Sequence, residues 1–244
     1  MAWLTTFDRR TLLKALAAAP LTIALPVSAR AAAAQVGLMS TRVCMLSAEV
    51  TEGPFYLEPH LIRANITEGR PGLPMRLKLQ VVRADCTPVS GARVDVWHCD
   101  AQGLYSGVKN LSGGQDTTGQ TFLRGTQNTA SDGVAGFLTI FPGWYPGRTT
   151  HVHYKVFLDE RTVLTGQIFF DEALNQAVYG NDPAYARSDK RDSLNATDGI
   201  AAKAGKGTYA KVTGTEPGET LEASLVVGIN PKVDTVPGGI FHLL

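Results

Sequence analysis

Two tyrosines, two histidines and an arginine stand in a pattern able to assemble a metal centre. Tyr145-x2-Arg148-x2-His151-x-His153 carries four of them, and Tyr105 lies upstream in Gly103-Leu104-Tyr105-Ser106-Gly107. A phenolate oxygen is a hard anionic donor suited to ferric iron, and imidazole is a borderline donor that several metals accept. Together the four side chains predict a mononuclear non-haem Fe(III) centre and oxygen chemistry on a chelating, electron-rich substrate. Arg148, between two candidate ligands, is the group expected to stabilise a developing anion.

The elements that must position these groups read as strands. Alternation begins at Met75, with Met75, Leu77, Leu79 and Val81 on one face and Arg76, Lys78 and Gln80 on the other. Further strands are expected over 94–97, 137–141, 151–158, 164–170 and 221–229, separated by turn signals such as Ser131-Asp132-Gly133 and Pro142-Gly143. On the fourth of these, His151 and His153 share one face while Val152, Tyr154 and Val156 face the core. Only 171–178 and 197–203 read as helix. The expected fold is all-β, a β-sandwich of mainly antiparallel strands with little helix. The polar stretches 103–129, which holds Tyr105, and 179–206 read as long loops from which a site could be built.

The chain has 244 residues, 44% hydrophobic and 18% charged, with a net charge of +1. That length supports one sizeable core, and the charge balance offers no field for nucleic acid. Residues 1–34 are expected to be an export signal. Arg9-Arg10-Thr11-Leu12-Leu13-Lys14 is a twin-arginine pattern, followed by a short apolar stretch and by small residues from Ser28 to Ala34. The apolar stretch is too short to anchor the protein stably in a membrane. A mitochondrial-type presequence or an unstructured leader is the competing reading. Residues 35–244 then form one domain, placed in the periplasm or outside the cell. Of Cys44, Cys86 and Cys99, the favoured disulfide is Cys44–Cys86; the other pairings, and three free thiols, stay open. No CxxC pair supports a cysteine-based zinc site.

Several segments, taken in order, resemble the intradiol ring-cleavage dioxygenases. Asp95-Val96-Trp97-His98-Cys99-Asp100-Ala101-Gln102-Gly103-Leu104-Tyr105-Ser106 is similar to the segment carrying that family's first tyrosine ligand. Pro142-Gly143-Trp144-Tyr145 with Arg148, His151 and His153 resembles its second tyrosine, its active-site arginine and its histidine pair. Thr51-Glu52-Gly53-Pro54-Phe55-Tyr56 and Leu164-Thr165-Gly166-Gln167 resemble its pocket-bordering segment and the strand bearing its pocket glutamine. An ordered set of this kind is far more specific than one motif.

The resemblance implies Fe(III) bound by Tyr105, Tyr145, His151 and His153, with Tyr145 the ligand that leaves when a catechol chelates. It implies catalytic roles for Arg148, Gln167 and Tyr145, and substrate contacts from Pro54, Tyr56 and Gly107. The substrates would be a catechol and O2, the ring opening between its two hydroxylated carbons to a cis,cis-muconate-type diacid. His98 has no ligand role in that family and is read as structural; His60 and His242 lack ligand-like neighbours.

The short interval from Tyr145 to His151, and the lack of an N-terminal helical domain, make the chain resemble the compact branch of the superfamily. Substrate preference and homo-oligomerisation therefore stay open. Two other readings are a non-catalytic β-sandwich binding module and a cupin-like or copper site built on His-x-His. The second wants a third histidine or a carboxylate in step with the pair, and none stands out.

Overall fold

Alternating apolar residues become the inner face of a sandwich in the computed structural model, which describes residues 45–58, 61–109, 115–214 and 219–232. Strand β1 (Pro74–Arg83) buries Met75, Leu77, Leu79 and Val81 completely, while Arg76 and Lys78 stay in solvent. Gln80 departs from the expected polar, solvent-facing pattern. It is buried and donates to the carbonyl of Asp132 in the turn that precedes β4.

Among the described residues, eight strands form two sheets of four. The first runs β4-β1-β8-β7, with β4 at Val134–Ile140, β7 at Lys211–Thr213 and β8 at Leu221–Ile229. The β1–β8 pair is parallel and the other pairs are antiparallel. The second sheet runs β3-β2-β5-β6 and is antiparallel throughout, with β2 at Arg93–Trp97, β3 at Arg124–Asn128, β5 at His151–Leu158 and β6 at Arg161–Phe169. Inward residues of both sheets, among them Leu77, Leu79, Val152, Tyr154, Val156 and Val227, make one continuous core. Packing of two such faces is the usual solution for sheets apolar on one side.

Two strands were not legible in the sequence. Strand β3 reads Arg-Gly-Thr-Gln-Asn, with no apolar alternation, inside the stretch expected to be loop. It exists because β2 offers it an antiparallel ladder from Arg93↔Asn128 to Trp97↔Arg124. The three-residue β7 is likewise made by its pairing with β8. The helices fall close to expectation, α1 at Glu172–Asn181 and α2 at Gly199–Ala204. Asp198 caps α2, accepting from the backbone N–H groups of Ile200 and Ala201.

Cys99 is a free, buried thiol and Cys86 is disulfide-bonded. Its expected partner Cys44, the leader 1–34, His60 and His242 lie outside the described residues. Among the described residues no helix is long and apolar enough to cross a membrane.

Candidate metal centre

Strand β5 sets the geometry. Its period of two sends Val152, Tyr154 and Val156 into the core and turns His151 and His153 to the opposite face of the second sheet. On that face His153 is flanked by Trp97 of β2 and Gln167 of β6, its ladder partners. The Trp97 indole stacks on the His153 imidazole at 4.9 Å with an interplanar angle of 8°.

Both tyrosines reach the same point from loops. Tyr105 is fully buried, stacked on Phe55 at 4.3 Å, and its carbonyl accepts from the Thr117 hydroxyl. Tyr145 follows the Pro142-Gly143-Trp144 turn and is only partly buried. The Nε2 atom of His151 lies 3.0 Å from His153 Nε2, 3.2 Å from Tyr145 Oη and 3.5 Å from Tyr105 Oη. All four candidate ligands named by the sequence therefore converge on one point. Among the described residues no group of three or more His, Cys, Asp or Glu side chains gathers to hold a metal, so the candidate centre depends on its tyrosines.

Gly143 shows how tight the Tyr145 turn is. A β-carbon there would lie 2.4 Å from the Asp100 carbonyl oxygen and 2.6 Å from that of Ala101. Backbone atoms cannot give way cheaply, so Gly143→Ala is expected to destabilise the protein by about 1–3 kcal/mol. Thermal unfolding checks this; an unchanged melting temperature would mean that the turn relaxes freely.

The residues fit a bound cation. The Nδ1 of His151 is 2.6 Å from the carbonyl of Thr149, which places the proton on Nδ1 and leaves the Nε2 lone pair facing the cluster. His153 Nδ1 is buried without a partner. Burial, then the Arg148 charge, lowers His151 to about 3; burial and then His151 hold His153 well below the usual histidine range. Burial pushes Tyr145 up to about 12 and, with Tyr145 beside it, holds Tyr105 well above the ordinary phenol value. Three buried donors and one partly buried one crowded together, none able to ionise comfortably by itself, are what a multivalent cation would stabilise.

Arg148 borders this cluster, with Nη1 3.5 Å from His151 Nε2. Its Nη2 donates to Gln167 Oε1 at 2.5 Å, its Nε donates to Asp198 Oδ2 at 2.8 Å, and Gln167 Nε2 donates to the Thr51 carbonyl at 2.9 Å. Arg148 and Gln167, each expected to have a catalytic role, are thus directly bonded.

The segment 50–58 lies as a strap across the same face. Glu52 bridges to Lys155 at 2.6 Å, and Gly53, at φ +69°, passes close enough that a β-carbon would sit 3.5 Å from His153 Cε1. Pro54 is exposed on this strap. The Tyr56 hydroxyl lies 2.8 Å from Glu58 and 3.0 Å from Asp95, so its polar end is engaged by carboxylates, while its ring leans on Trp97. Gly107, at φ +73°, packs beneath Leu57, whose Cδ1 would be 2.4 Å from a β-carbon there. That contact is where the strap meets the Tyr105 loop.

His98 is held by the Cys99 carbonyl and the Thr139 hydroxyl through its two ring nitrogens. Phe55, Trp97 and Asp198 entered the site without being singled out in the sequence. For Trp97 the signal was present, because strand alternation puts it on the face of Asp95. For Asp198 the only signal was an acidic residue just before a short helix.

Known proteins share this fold and parts of its sequence. A family model described as "Dioxygenase" matches residues 52–213. The structure is similar to the intradiol ring-cleavage dioxygenase from Tetranychus urticae, at 36% identity and a TM-score of 0.73, over 79% of this chain and 98% of that one.

The chain belongs to the intradiol ring-cleavage dioxygenase family.

Among curated intradiol relatives, the chlorocatechol 1,2-dioxygenase of Pseudomonas sp. (strain P51) is 30% identical over 49% of this chain and 54% of its own length. The hydroxyquinol 1,2-dioxygenase of Rhizobium sp. (strain MTP-10005) is 32% identical over 48% and 45% respectively. The chain spans about half the length of these curated relatives.

Proposed function

We propose that this protein is an Fe(III)-dependent intradiol dioxygenase. It opens catechol or a substituted catechol between the two hydroxylated carbons with O2, giving a cis,cis-muconate-type product. The observation that carries the proposal is the convergence of Tyr105 Oη, Tyr145 Oη and His153 Nε2 within 3.5 Å of His151 Nε2. Family membership and the names of the relatives, which cover chlorocatechol and hydroxyquinol 1,2-dioxygenases, support the substrate class.

Tyr105, Tyr145, His151 and His153 would hold the iron. When bound, Fe(III) supplies a Lewis-acidic template that chelates the catechol and draws electron density from its ring. The remaining work falls to the protein. Thr149 holds the Nδ1 proton of His151, keeping Nε2 free as a donor. Tyr105 is locked by burial and by the Phe55 stack, whereas Tyr145 is more accessible. As a tyrosinate, Tyr145 would be placed to take one catechol proton at Oη and move aside. Phe55, Trp97 and Val108 wall the site with apolar surface and keep water from its buried side. Arg148, braced by Gln167, presents a fixed cation to negative charge developing on the ring.

The testing experiment is a visible absorption spectrum of the purified protein with an iron assay and an anaerobic catechol titration. Stoichiometric iron, a broad visible tyrosinate-to-iron band and a shift to longer wavelength with catechol are expected. A colourless protein that takes up no ferric iron would overturn the proposal and favour a binding module on the same scaffold.

The twin-arginine pattern at Arg9 and Arg10 supports export of the folded protein. Fractionation of cells expressing the full chain and an Arg9→Lys/Arg10→Lys variant checks this. The native chain should leave the cytoplasm and the variant should stay.

A further inference from the structure

The interval 192–198 is polar and irregular, yet it moulds the corner that carries Arg148 and leads into β5. The carboxylate of Asp192 accepts from Gly147 N, and Asn195 Oδ1 accepts from the Thr149 hydroxyl. Asp198 makes the most connections. Its Oδ2 accepts from Arg148 Nε and from Thr149 N, both at 2.8 Å, while its Oδ1 accepts from Ile200 N at 2.8 Å and Ala201 N at 3.0 Å. The residue is 2% exposed. Burial works to raise its pKa, but the Ala201 and Thr149 N–H groups and the Arg148 guanidinium hold it below the ordinary carboxylate value.

An arginine side chain has several rotatable bonds and a planar head whose direction matters. In this site the head is fixed at two edges, Nε on Asp198 and Nη2 on Gln167, leaving Nη1 turned toward His151 Nε2. Gln167 alone would leave the guanidinium free to rotate about that single bond. The second bond comes from Asp198, which is itself anchored to the backbone of α2.

We propose that Asp198 is a positioning residue for the reaction, acting through Arg148 by holding Nη1 at the cluster. The proposal rests on the dioxygenase reading above. It predicts that charge stabilisation at the ring depends on a carboxylate far in sequence from the candidate ligands and touching none of their side chains.

The test compares wild type, Asp198→Asn, Arg148→Ala and the double variant for iron content, visible band, KM and kcat on catechol. Asp198→Asn removes the charge and leaves one acceptor oxygen, which cannot serve both the Arg148 Nε and Thr149 N pair and the Ile200 and Ala201 N–H pair. Iron and the visible band are expected to match wild type, while kcat falls on the order of 10- to 100-fold, the scale of a misplacement near 1 Å. KM should change little. In the Arg148→Ala background the second substitution should cost nothing further, because its only route to the chemistry is gone.

A wild-type kcat in Asp198→Asn, or losses that multiply in the double variant, would overturn the proposal. Should Asp198→Asn fail to fold, Asp198→Ser carries the same test, since a serine still caps α2 but gives Arg148 no charged partner. Absence of iron or turnover in wild type would instead defeat the underlying dioxygenase reading, so the two failures are distinguishable.

Discussion

Replacing Tyr105 by phenylalanine is expected to strip the protein of most of its iron and of its visible band. The ring would keep its place, because it is fully buried, stacked on Phe55 and tied at its carbonyl to Thr117. What disappears is one of the two phenol oxygens proposed to bind the metal. Loss of an outer partner of a metal ligand already costs roughly 10- to 100-fold in metal affinity, and loss of a ligand itself should exceed that. The metal-free variant, by contrast, should melt within a few degrees of the metal-free parent, about what a change below 1 kcal/mol produces. Iron titration and calorimetry on both apo-proteins check the two halves. Unchanged iron content and colour would remove Tyr105 from the ligand set.

Arg148→Ala should do the reverse, leaving iron and colour in place while kcat falls roughly 10²- to 10³-fold, the usual cost of removing one preorganised charge-stabilising group. The variant also leaves Asp198 without its cation. Three backbone N–H groups still solvate that carboxylate, those of Thr149, Ile200 and Ala201. The stability cost should therefore fall below the 3–5 kcal/mol typical of a stranded buried charge. Arg148→Lys should not restore turnover, because an ammonium cannot span Asp198 and Gln167 with fork geometry. Steady-state kinetics beside the spectrum decides; full activity in Arg148→Ala would exclude the arginine from the mechanism.

Local chemistry made much of this legible. The turn at Pro142-Gly143 and the alternation along 151–158 carry their own physical signal and pick out Tyr145, His151 and His153, whereas Tyr105 in its glycine-rich loop was named through the family resemblance. Strand β3 could not be read, since its five residues carry no apolar period and its strand character comes from the ladder that β2 offers. The role of Tyr56 was equally hidden. Its segment pointed to the pocket border, but Asp95, which engages its hydroxyl, is brought there by the lie of the strap over β2.

The sequence by itself named the candidate donors and determined the strand that pairs His151 with His153 and the sandwich class, because these follow from side-chain chemistry and a period of two. Only the tertiary structure decided which groups hold the donors in place. The Asp198–Arg148 pair spans 50 positions, Gln167 to Thr51 spans 116, and Tyr105 to His151 spans 46. Such contacts have no period and no motif. They come into being when two sheets pack and their loops are driven onto the same face, where each buried polar atom must find whatever partner the fold brings near.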